Sequence, residues 1–228
     1  MCIREKENIM FANLKRNNPK RDNPIIVADG VVDEKQYLES KFKIVYVMKE
    51  VNGGSDDWDL KDFLFDGGRS QTWDNIARWT EGILNLQEDF SWKYLSENNE
   101  IRRKKYLRKI GSINLKKTPG KHTSNYKEIS IAATENKEII KEQIELYNPE
   151  IIICCGTSHD FIKCYLESDP VNWEMTYRGV EYIRNKNQII ISFAHPEARV
   201  RDAYLYYALI DAIREIVGYS FKKEPVRN

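Results

Sequence analysis

The sequence predicts an α/β fold with a mostly parallel sheet. Apolar runs of strand length alternate along the chain with amphipathic helical segments, a pattern typical of parallel sheets covered by helices on both faces. The 228 residues are 41% hydrophobic and 31% charged, as in ordinary globular domains. The longest segment without charged or strongly polar side chains is residues 203–210, much shorter than the roughly 18 residues of a membrane span. We therefore expect a cytoplasmic protein with no membrane partner.

The elements follow in order along the chain. Strand candidates are β-branched or aromatic runs bounded by turn residues, at residues 42–48, 109–115, 150–155, 179–184 and 188–194. Helix candidates have apolar residues at helical spacing, at residues 73–86, 137–147, 158–166 and 205–216. Residues 1–32 are predicted to be a basic N-terminal arm. Residues 33–228 are predicted to form a single domain, because no linker or repeat interrupts them.

Ligands of parallel α/β sheets bind beyond the carboxyl ends of the strands. Three polar side chains lie at such ends: Glu50, Asn114 and His195. Taken alone, Glu50 could equally be an exposed carboxylate with no function, and a lone histidine such as His195 is more often structural. Pro196 follows His195 and suits the first turn of the last helix. A carboxylate and an imidazole at the ends of two strands of one sheet nevertheless form an acid–base pair typical of functional sites.

The net charge of +1 hides an uneven distribution. Residues 101–121 contain nine basic side chains and no acidic one, namely Arg102, Arg103, Lys104, Lys105, Arg108, Lys109, Lys116, Lys117 and Lys121. Such a run is either a solvated helix face or a binding surface for phosphates. It leads into the strand that ends near Asn114, so it borders the predicted cleft.

The cysteines do not indicate a metal site or a disulfide framework. Cys2, Cys154, Cys155 and Cys164 show no C-x-x-C spacing, and consecutive residues of one strand point to opposite faces. Reduced, buried thiols are therefore expected. His122 and His159 receive no assigned role.

Five segments, in order, resemble motifs of the uracil-DNA glycosylase superfamily. Residues 45–54 (VYVMKEVNGG) are similar to its first motif, and residues 195–199 (HPEAR) to its second. Between them, residues 66–74 (DGGRSQTWD) and 113–120 (INLKKTPG) resemble the branch that contains iron–sulfur enzymes, and residues 149–156 (PEIIICCG) resemble the family's strand that closes with glycine. The resemblance covers residues 42–199 and implies a three-layer α/β/α sandwich with a central four-stranded, mostly parallel sheet.

The resemblance also implies roles for individual residues. Glu50 and His195 are the catalytic candidates, and Asn114, Asn52 and Phe65 the candidates for binding the base, with Trp58 or Trp73 as alternatives to Phe65 for stacking. Candidates for holding DNA are Arg69, Arg102, Arg103, Lys116, Lys117, Arg199 and Val200. The chain departs from the family pattern at Met48 and Val51, and it lacks the cysteines of a four-iron cluster. No metal or other cofactor is expected.

These residues predict a monomeric DNA glycosylase that hydrolyses the bond between deoxyribose and uracil, or another altered base, after base flipping. A damaged base or a hypermodified base of foreign DNA remains open as the substrate. The first alternative is a non-catalytic DNA- or nucleotide-binding protein on the same fold. The second is an α/β hydrolytic or nucleoside-processing enzyme that acts on a small molecule.

Overall fold

A computed structural model describes residues 1–17, 24–54, 56–121, 123–166 and 171–218. Within these ranges the strands are β1 Val27–Ala28, β2 Gly30–Val31, β3 Ile44–Met48, β4 Trp58–Asp59, β5 Ile110–Asn114, β6 Ile151–Cys155, β7 Glu174–Met175, β8 Glu181–Asn185 and β9 Gln188–Phe193. The helices are α1 Ile3–Arg16, α2 Glu34–Leu38, α3 Leu60–Phe65, α4 Ser70–Leu84, α5 Trp92–Ser96, α6 Asn99–Tyr106, α7 Tyr126–Glu135, α8 Lys137–Tyr147, α9 Ser158–Tyr165 and α10 Asp202–Ile216. No helix in the described part of the chain is both long enough and apolar enough to cross a bilayer.

The main sheet is mostly parallel, as the alternation of strands and helices predicts. Its strand order is β2-β5-β3-β6-β9-β8-β7, and the four central strands β5, β3, β6 and β9 run parallel to one another. The three outer strands pair in the antiparallel direction. The described sheet therefore has seven strands rather than four, because short antiparallel strands extend the parallel centre at both edges.

The alternation of side chains along the central strands divides the core into two. Ile44, Tyr46 and Met48 of β3 pack with residues of α4 and α10 on one face of the sheet. Val45 and Val47 pack with residues of α7, α8 and α9 on the other face. All five residues of β3 are buried. Helices thus flank both faces, and the carboxyl ends of the central strands lie at one edge of this core.

The adjacent cysteines of β6 follow the same alternation. Cys154 belongs to the core on one face and Cys155 to the core on the other, which confirms the prediction from strand geometry. Both thiols are fully buried, and burial raises the pKa of each well above its ordinary value. They are therefore protonated at neutral pH and contribute to packing.

The segment predicted to be a basic arm contains helix α1 and the short strands β1 and β2. Ile3, Glu7 and Phe11 of α1 are buried, and Phe11 packs with Ile26 and Ile139 in a small separate core. Strand β2 pairs with β5 at the edge of the main sheet. Residues 1–17 and 24–32 are thus integrated into the fold. Polar residues between the buried positions of α1 weaken its apolar pattern, and this conceals the helix in the sequence.

Candidate functional site

A cleft of about 570 Å³ opens at the carboxyl ends of the central strands. Its wall contains residues that follow β3 and β9, the last residue of β5, and residues of the segment from β4 to α4. Its lining residues are Met48, Glu50, Val51, Asn52, Trp58, Leu60, Phe63, Arg69, Gln71, Thr72, Trp73, Asn114, Lys121, Ser124, His195 and Glu197. The sequence-predicted residues Glu50, Asn52, Asn114 and His195 therefore meet in one cleft.

Glu50 enters this cleft as half of an ion pair. Lys116 Nζ donates a hydrogen bond of 2.5 Å to Glu50 Oε2, and only 5% of the Glu50 side chain is exposed. Lys116 follows β5 and is held next to β3 by the bond from its backbone N–H to the Lys49 carbonyl. The pair keeps the carboxylate in one direction and balances its charge in a partly buried place.

Gly120 packs directly against the Glu50 carboxyl group. A Cβ atom at position 120 would lie 2.0 Å from the Glu50 carboxyl carbon, closer than any real contact permits. The backbone N–H of Gly120 donates to the Val51 carbonyl at 2.7 Å, and its own carbonyl accepts from Gly53. A side chain at position 120 would therefore displace the Glu50 carboxylate.

His195 presents a neutral imidazole to the cleft. The backbone N–H of Glu197 donates to His195 Nδ1 at 3.1 Å, so Nδ1 is the acceptor and the proton of the neutral ring resides on Nε2. Burial lowers the pKa of His195 below its ordinary value of 6.5, and the nearby Lys49 lowers it further, while Glu197 acts in the opposite direction. At neutral pH the ring is therefore an uncharged donor through Nε2–H.

The loop that carries His195, residues 195–201, is fixed by helix α4. Helix α10 begins at Asp202, so Pro196 lies in this loop and not in the first helical turn. Asn75 Nδ2 donates to the Pro196 carbonyl at 2.8 Å and to Asp202 Oδ1 at 3.0 Å, and Arg78 Nη1 donates to Asn75 Oδ1 at 2.8 Å. Sequence reasoning missed both α4 residues. The sequence feature that could have identified Asn75 and Arg78 is the presence of two polar residues on the apolar side of an amphipathic helix.

The loop has a second attachment to the same helix. Thr72 Oγ1 donates a hydrogen bond to the carboxylate of Glu197, and both residues line the cleft. Glu197 was also missed, although it lies within the HPEAR segment. It is a second carboxylate in the cleft, and its backbone N–H sets the tautomer of His195.

Asn114 lies at the end of β5 and is almost fully buried, with 2% exposure. Its backbone N–H donates to Asp29 Oδ2 at 2.7 Å, and its side-chain Nδ2 donates to the same oxygen at 3.2 Å. No donor among the described residues bonds to Asn114 Oδ1. This residue therefore presents an amide edge to the cleft, held from behind by Asp29.

The aromatic residues of the cleft differ from the first choice made from sequence. Phe65 is not a lining residue; its ring stacks under the Arg108 guanidinium, 3.7 Å from the ring centroid. Trp58, Phe63 and Trp73 line the cleft instead, and Trp58 contacts Phe63 edge to face at 6.1 Å. The helical turn of α3 places Phe63 at the cleft and Phe65 away from it, and Phe63 was not identified from the sequence.

Two of the cations predicted to hold DNA are buried and therefore cannot do so. Lys117 is 1% exposed, and its Nζ donates to Asp29 and to Gln143 at 2.7–3.0 Å. Arg102 is 6% exposed, and it bonds to Glu81 at 2.6 Å and to three backbone carbonyls. A charged side chain that is buried in this way is satisfied internally and does not reach a phosphate.

Two further cations that were predicted to hold DNA make contacts within the protein instead. Arg103 is mostly buried and bonds to the Gly67 carbonyl and to Asp74, while Lys116 is paired with Glu50. Arg69 lines the cleft and is exposed. Arg199 and Val200 are exposed on the loop that follows His195. Four of the nine basic side chains of residues 101–121 thus make internal contacts, whereas Arg69, Lys121 and Arg199 are exposed at or beside the cleft.

The remaining candidates lie elsewhere. His159 is exposed on α9 and is not a lining residue of the cleft, and His122 lies outside the described residues. Within the described ranges, no three His, Cys, Asp or Glu side chains form a group that could hold a metal ion.

Chemically, the cleft combines a fixed carboxylate, a neutral imidazole donor, an amide edge and aromatic side chains. No protein-family model matches the chain, and no curated protein matches it.

Proposed function

We propose that this protein is a DNA glycosylase that hydrolyses the bond between deoxyribose and a flipped-out base. The observation that carries the proposal is that Glu50, Asn114 and the neutral His195 line one cleft. Asn114 and His195 are 64 and 145 positions away from Glu50 along the chain, and all three residues line the same cleft. The fold supports the same proposal, because four central parallel strands between helices fit the three-layer sandwich of the uracil-DNA glycosylase superfamily.

Cleavage of the glycosidic bond separates charge. As the bond between C1′ and the base nitrogen breaks, its electron pair leaves with the base, and positive charge develops on the sugar. The ionised Glu50 would stabilise this positive charge and orient a water molecule, whose oxygen forms the new bond to C1′. The proton of that water passes to the carboxylate or to the departing base. The ion pair with Lys116 supports this role, since it fixes the carboxylate before substrate arrives.

His195 acts on the departing base, which is the other product of this bond cleavage. Its Nε2–H would donate a hydrogen bond to a base carbonyl as that oxygen gains negative charge. A neutral donor is suitable because the ring needs no proton from solution, and its lowered pKa keeps it neutral at physiological pH. The backbone N–H of Glu197, bonded to Nδ1, keeps the donor on the side of the ring that is away from the loop.

The other cleft residues would hold the base. Trp58, Phe63 and Trp73 offer aromatic surfaces for stacking against it, and Asn114 offers one donor and one acceptor to its polar edge. A base within a duplex cannot reach such a cleft, so the enzyme requires a single strand or a flipped nucleotide. Arg69, Lys121 and Arg199 are the available cations for neighbouring phosphates, and Val200 is exposed where a side chain could fill the vacated stack.

One observation favours a second candidate, hydrolysis of a free nucleoside. Four of the cations predicted to hold phosphates, namely Arg102, Arg103, Lys116 and Lys117, are engaged in internal contacts. A small-molecule substrate would need the same Glu50 and His195 but no extended phosphate surface. The two candidates therefore differ in whether the substrate must be part of a polynucleotide.

The deciding experiment is a substrate panel. Oligonucleotides that each contain one uracil, hypoxanthine, damaged pyrimidine or hypermodified pyrimidine are incubated with the protein, single-stranded and in duplex. The released base is identified by mass, and abasic sites are detected as alkali-labile breaks. The matching free nucleosides are tested in parallel. Base release from oligonucleotides that is lost in Glu50→Gln supports the glycosylase, and release from nucleosides alone favours the second candidate. Binding of DNA without release of any base contradicts both.

A further inference from the structure

A fully buried network of charged and polar side chains lies directly behind Asn114. Four of its members are ionisable, and two are neutral donors and acceptors; they are Glu7, Asp29, Lys61, Lys117, Gln143 and Tyr147, each at most 1% exposed. Burial of charge is costly unless every group is paired. The proposed reaction uses none of these residues, so the network needs a separate explanation.

Asp29 is the member that touches the cleft residue. Its carboxylate accepts five hydrogen bonds: two from Lys117 Nζ, at 2.8 and 3.0 Å, one from Gln143 Nε2 at 2.9 Å, and two from Asn114. These five bonds come from four donor groups, because Lys117 Nζ makes two of them. In this arrangement the carboxyl group of Asp29 acts only as an acceptor.

This carboxylate permits only one orientation of the Asn114 amide. Asp29 Oδ2 accepts from both the backbone N–H and Nδ2 of Asn114, so the bonded Nδ2 hydrogen is the one on the backbone side. The second Nδ2 hydrogen and Oδ1 then lie side by side at the outer edge. A rotation of the amide by 180° would set Oδ1 against Asp29 Oδ2, and two acceptors in a buried place repel each other.

We propose that Asp29 is a positioning residue that fixes the amide of Asn114 and thereby selects which polar ring edge the cleft accepts. The ring edges of nucleobases fall into two classes. Lactam edges have a ring N–H beside a carbonyl, as in uracil and hypoxanthine, and amidine edges have a ring nitrogen acceptor beside an amino group, as in cytosine and adenine. A fixed amide pairs with one class in a given pose, whereas a rotating amide pairs with both.

The cleft favours the lactam class. His195 Nε2–H can donate a hydrogen bond to a carbonyl group. A lactam base has such a carbonyl, and the negative charge that the base gains as it leaves is delocalised onto its oxygens. That the ligand is a base at all rests on the proposed function. The orientation of the amide by Asp29 does not, because it follows from the hydrogen bonds of the protein alone.

The first test measures binding without catalysis. Single-stranded oligonucleotides carry one 2′-fluoroarabino-uracil or one 2′-fluoroarabino-cytosine nucleotide, in which the electron-withdrawing fluorine slows departure of the base. Wild-type protein is expected to bind the uracil strand at least about tenfold more tightly, since the wrong edge leaves buried polar groups unpaired. The variant Asp29→Ala/Lys117→Met removes the carboxylate without leaving an unpaired ammonium, and its preference is expected to fall to within about twofold of unity.

Two controls separate positioning from simple destabilisation. Glu7→Gln keeps Asp29, Lys117 and the bonds to Asn114, so it should retain the wild-type preference. Glu7→Gln/Lys61→Met should retain it too, because it removes the neighbouring buried ion pair without leaving either partner unpaired. A preference lost equally in these controls overturns the role of Asp29, and so does a preference kept by Asp29→Ala/Lys117→Met.

The second test needs no DNA and no variant. In labelled wild-type protein, a scalar coupling is expected across the hydrogen bond between Asn114 Nδ2 and the Asp29 carboxyl carbon. Absence of this coupling overturns the proposal, because a rotated amide has no such bond. Its presence together with no base release in the substrate panel would refute the proposed glycosylase while leaving the orientation of Asn114 by Asp29 established.

Discussion

Lys116 donates a 2.5 Å hydrogen bond to Glu50, across 66 positions of the sequence. The bond joins the segments that follow two adjacent parallel strands, β3 and β5. A lysine that the sequence assigned to DNA phosphates is thus committed to the carboxylate instead. The pair aims the carboxylate, and the shape of the turn at Gly120 closes the space behind it.

The Glu50→Gln variant should release base at least ~100-fold more slowly than wild type, because a neutral amide stabilises neither the positive sugar nor the attacking water. The rate is measured in single turnover on the best substrate of the panel. Glu128→Gln is the matched control, since Glu128 also lies near Lys116, at 3.8 Å, but is 61% exposed. Equal activity of Glu50→Gln and wild type would remove Glu50 from the mechanism.

Gly120→Ala should reduce the rate of base release by about 100-fold, because it displaces the Glu50 carboxylate and a misplacement of about 1 Å at a reacting group has an effect of this size. The added methyl group would overlap the Glu50 carboxylate, so the carboxylate must move while its charge remains. Thr118→Ala changes a neighbouring residue that makes no side-chain hydrogen bond with the described residues, and it should behave like wild type. A fully active Gly120→Ala variant would show that the position of this carboxylate does not matter.

The neutral state of His195 predicts how activity depends on pH. Because burial lowers its pKa, the ring stays neutral as the pH falls through 6.5 and gains its proton only below that value. The fall in the rate of base release that protonation of His195 causes as the pH decreases, the acid limb of the pH profile, should therefore lie below pH 6.5. Protonation there removes the acceptor at Nδ1 and breaks the bond from Glu197.

The variant His195→Gln tests the same point, since glutamine donates a hydrogen bond but does not titrate in this range. We expect a slower reaction that lacks the limb due to His195, and a greater loss in His195→Ala, of at least ~100-fold. The pH profile of single-turnover rates distinguishes the three proteins. A limb centred above 6.5 in wild type and absent from His195→Gln would contradict a neutral donor.

The strands that support the cleft could be predicted because their sequences report burial directly. The runs around Val45, Ile113 and Ile153 are apolar, and in the parallel centre of a sheet both faces are covered. The rule that ligands bind at the carboxyl ends then led to Glu50, Asn114 and His195 without further information. The β2 and β7 edge strands are two residues long, too short to show any period.

The residues that support the cleft from within the protein could not be predicted, because a charged residue in a sequence can be either exposed or buried. Lys117 and Arg102 lie in a basic run that resembles a phosphate-binding surface, and only the tertiary structure pairs them with Asp29 and Glu81. Asp29 itself left a faint signal, as a single acid within the apolar run of residues 25–32. Its partner Gln143 is on a helix 114 positions away, and no local pattern connects the two.

Binding of DNA should depend on the exposed cations of the cleft and not on the buried ones. Arg69→Ala, Lys121→Ala and Arg199→Ala should each weaken binding of a single-stranded oligonucleotide. Each should also reduce the slope of log affinity against log salt concentration by about 0.7, the value for one phosphate contact on a single strand. The slope is obtained from titrations at several salt concentrations with a strand that is not cleaved.

Arg102→Met provides the contrast within the same basic run. Its guanidinium is bonded to Glu81 and to backbone carbonyls, so its removal leaves a buried carboxylate unpaired and should lower the free energy of unfolding by about 3 kcal/mol. The folded fraction should nevertheless bind DNA with the wild-type salt slope. Unfolding is followed by denaturant titration, and binding is measured where the variant is folded. A reduced slope in Arg102→Met with unchanged stability would return this arginine to the DNA surface and undo the structural assignment of the basic run.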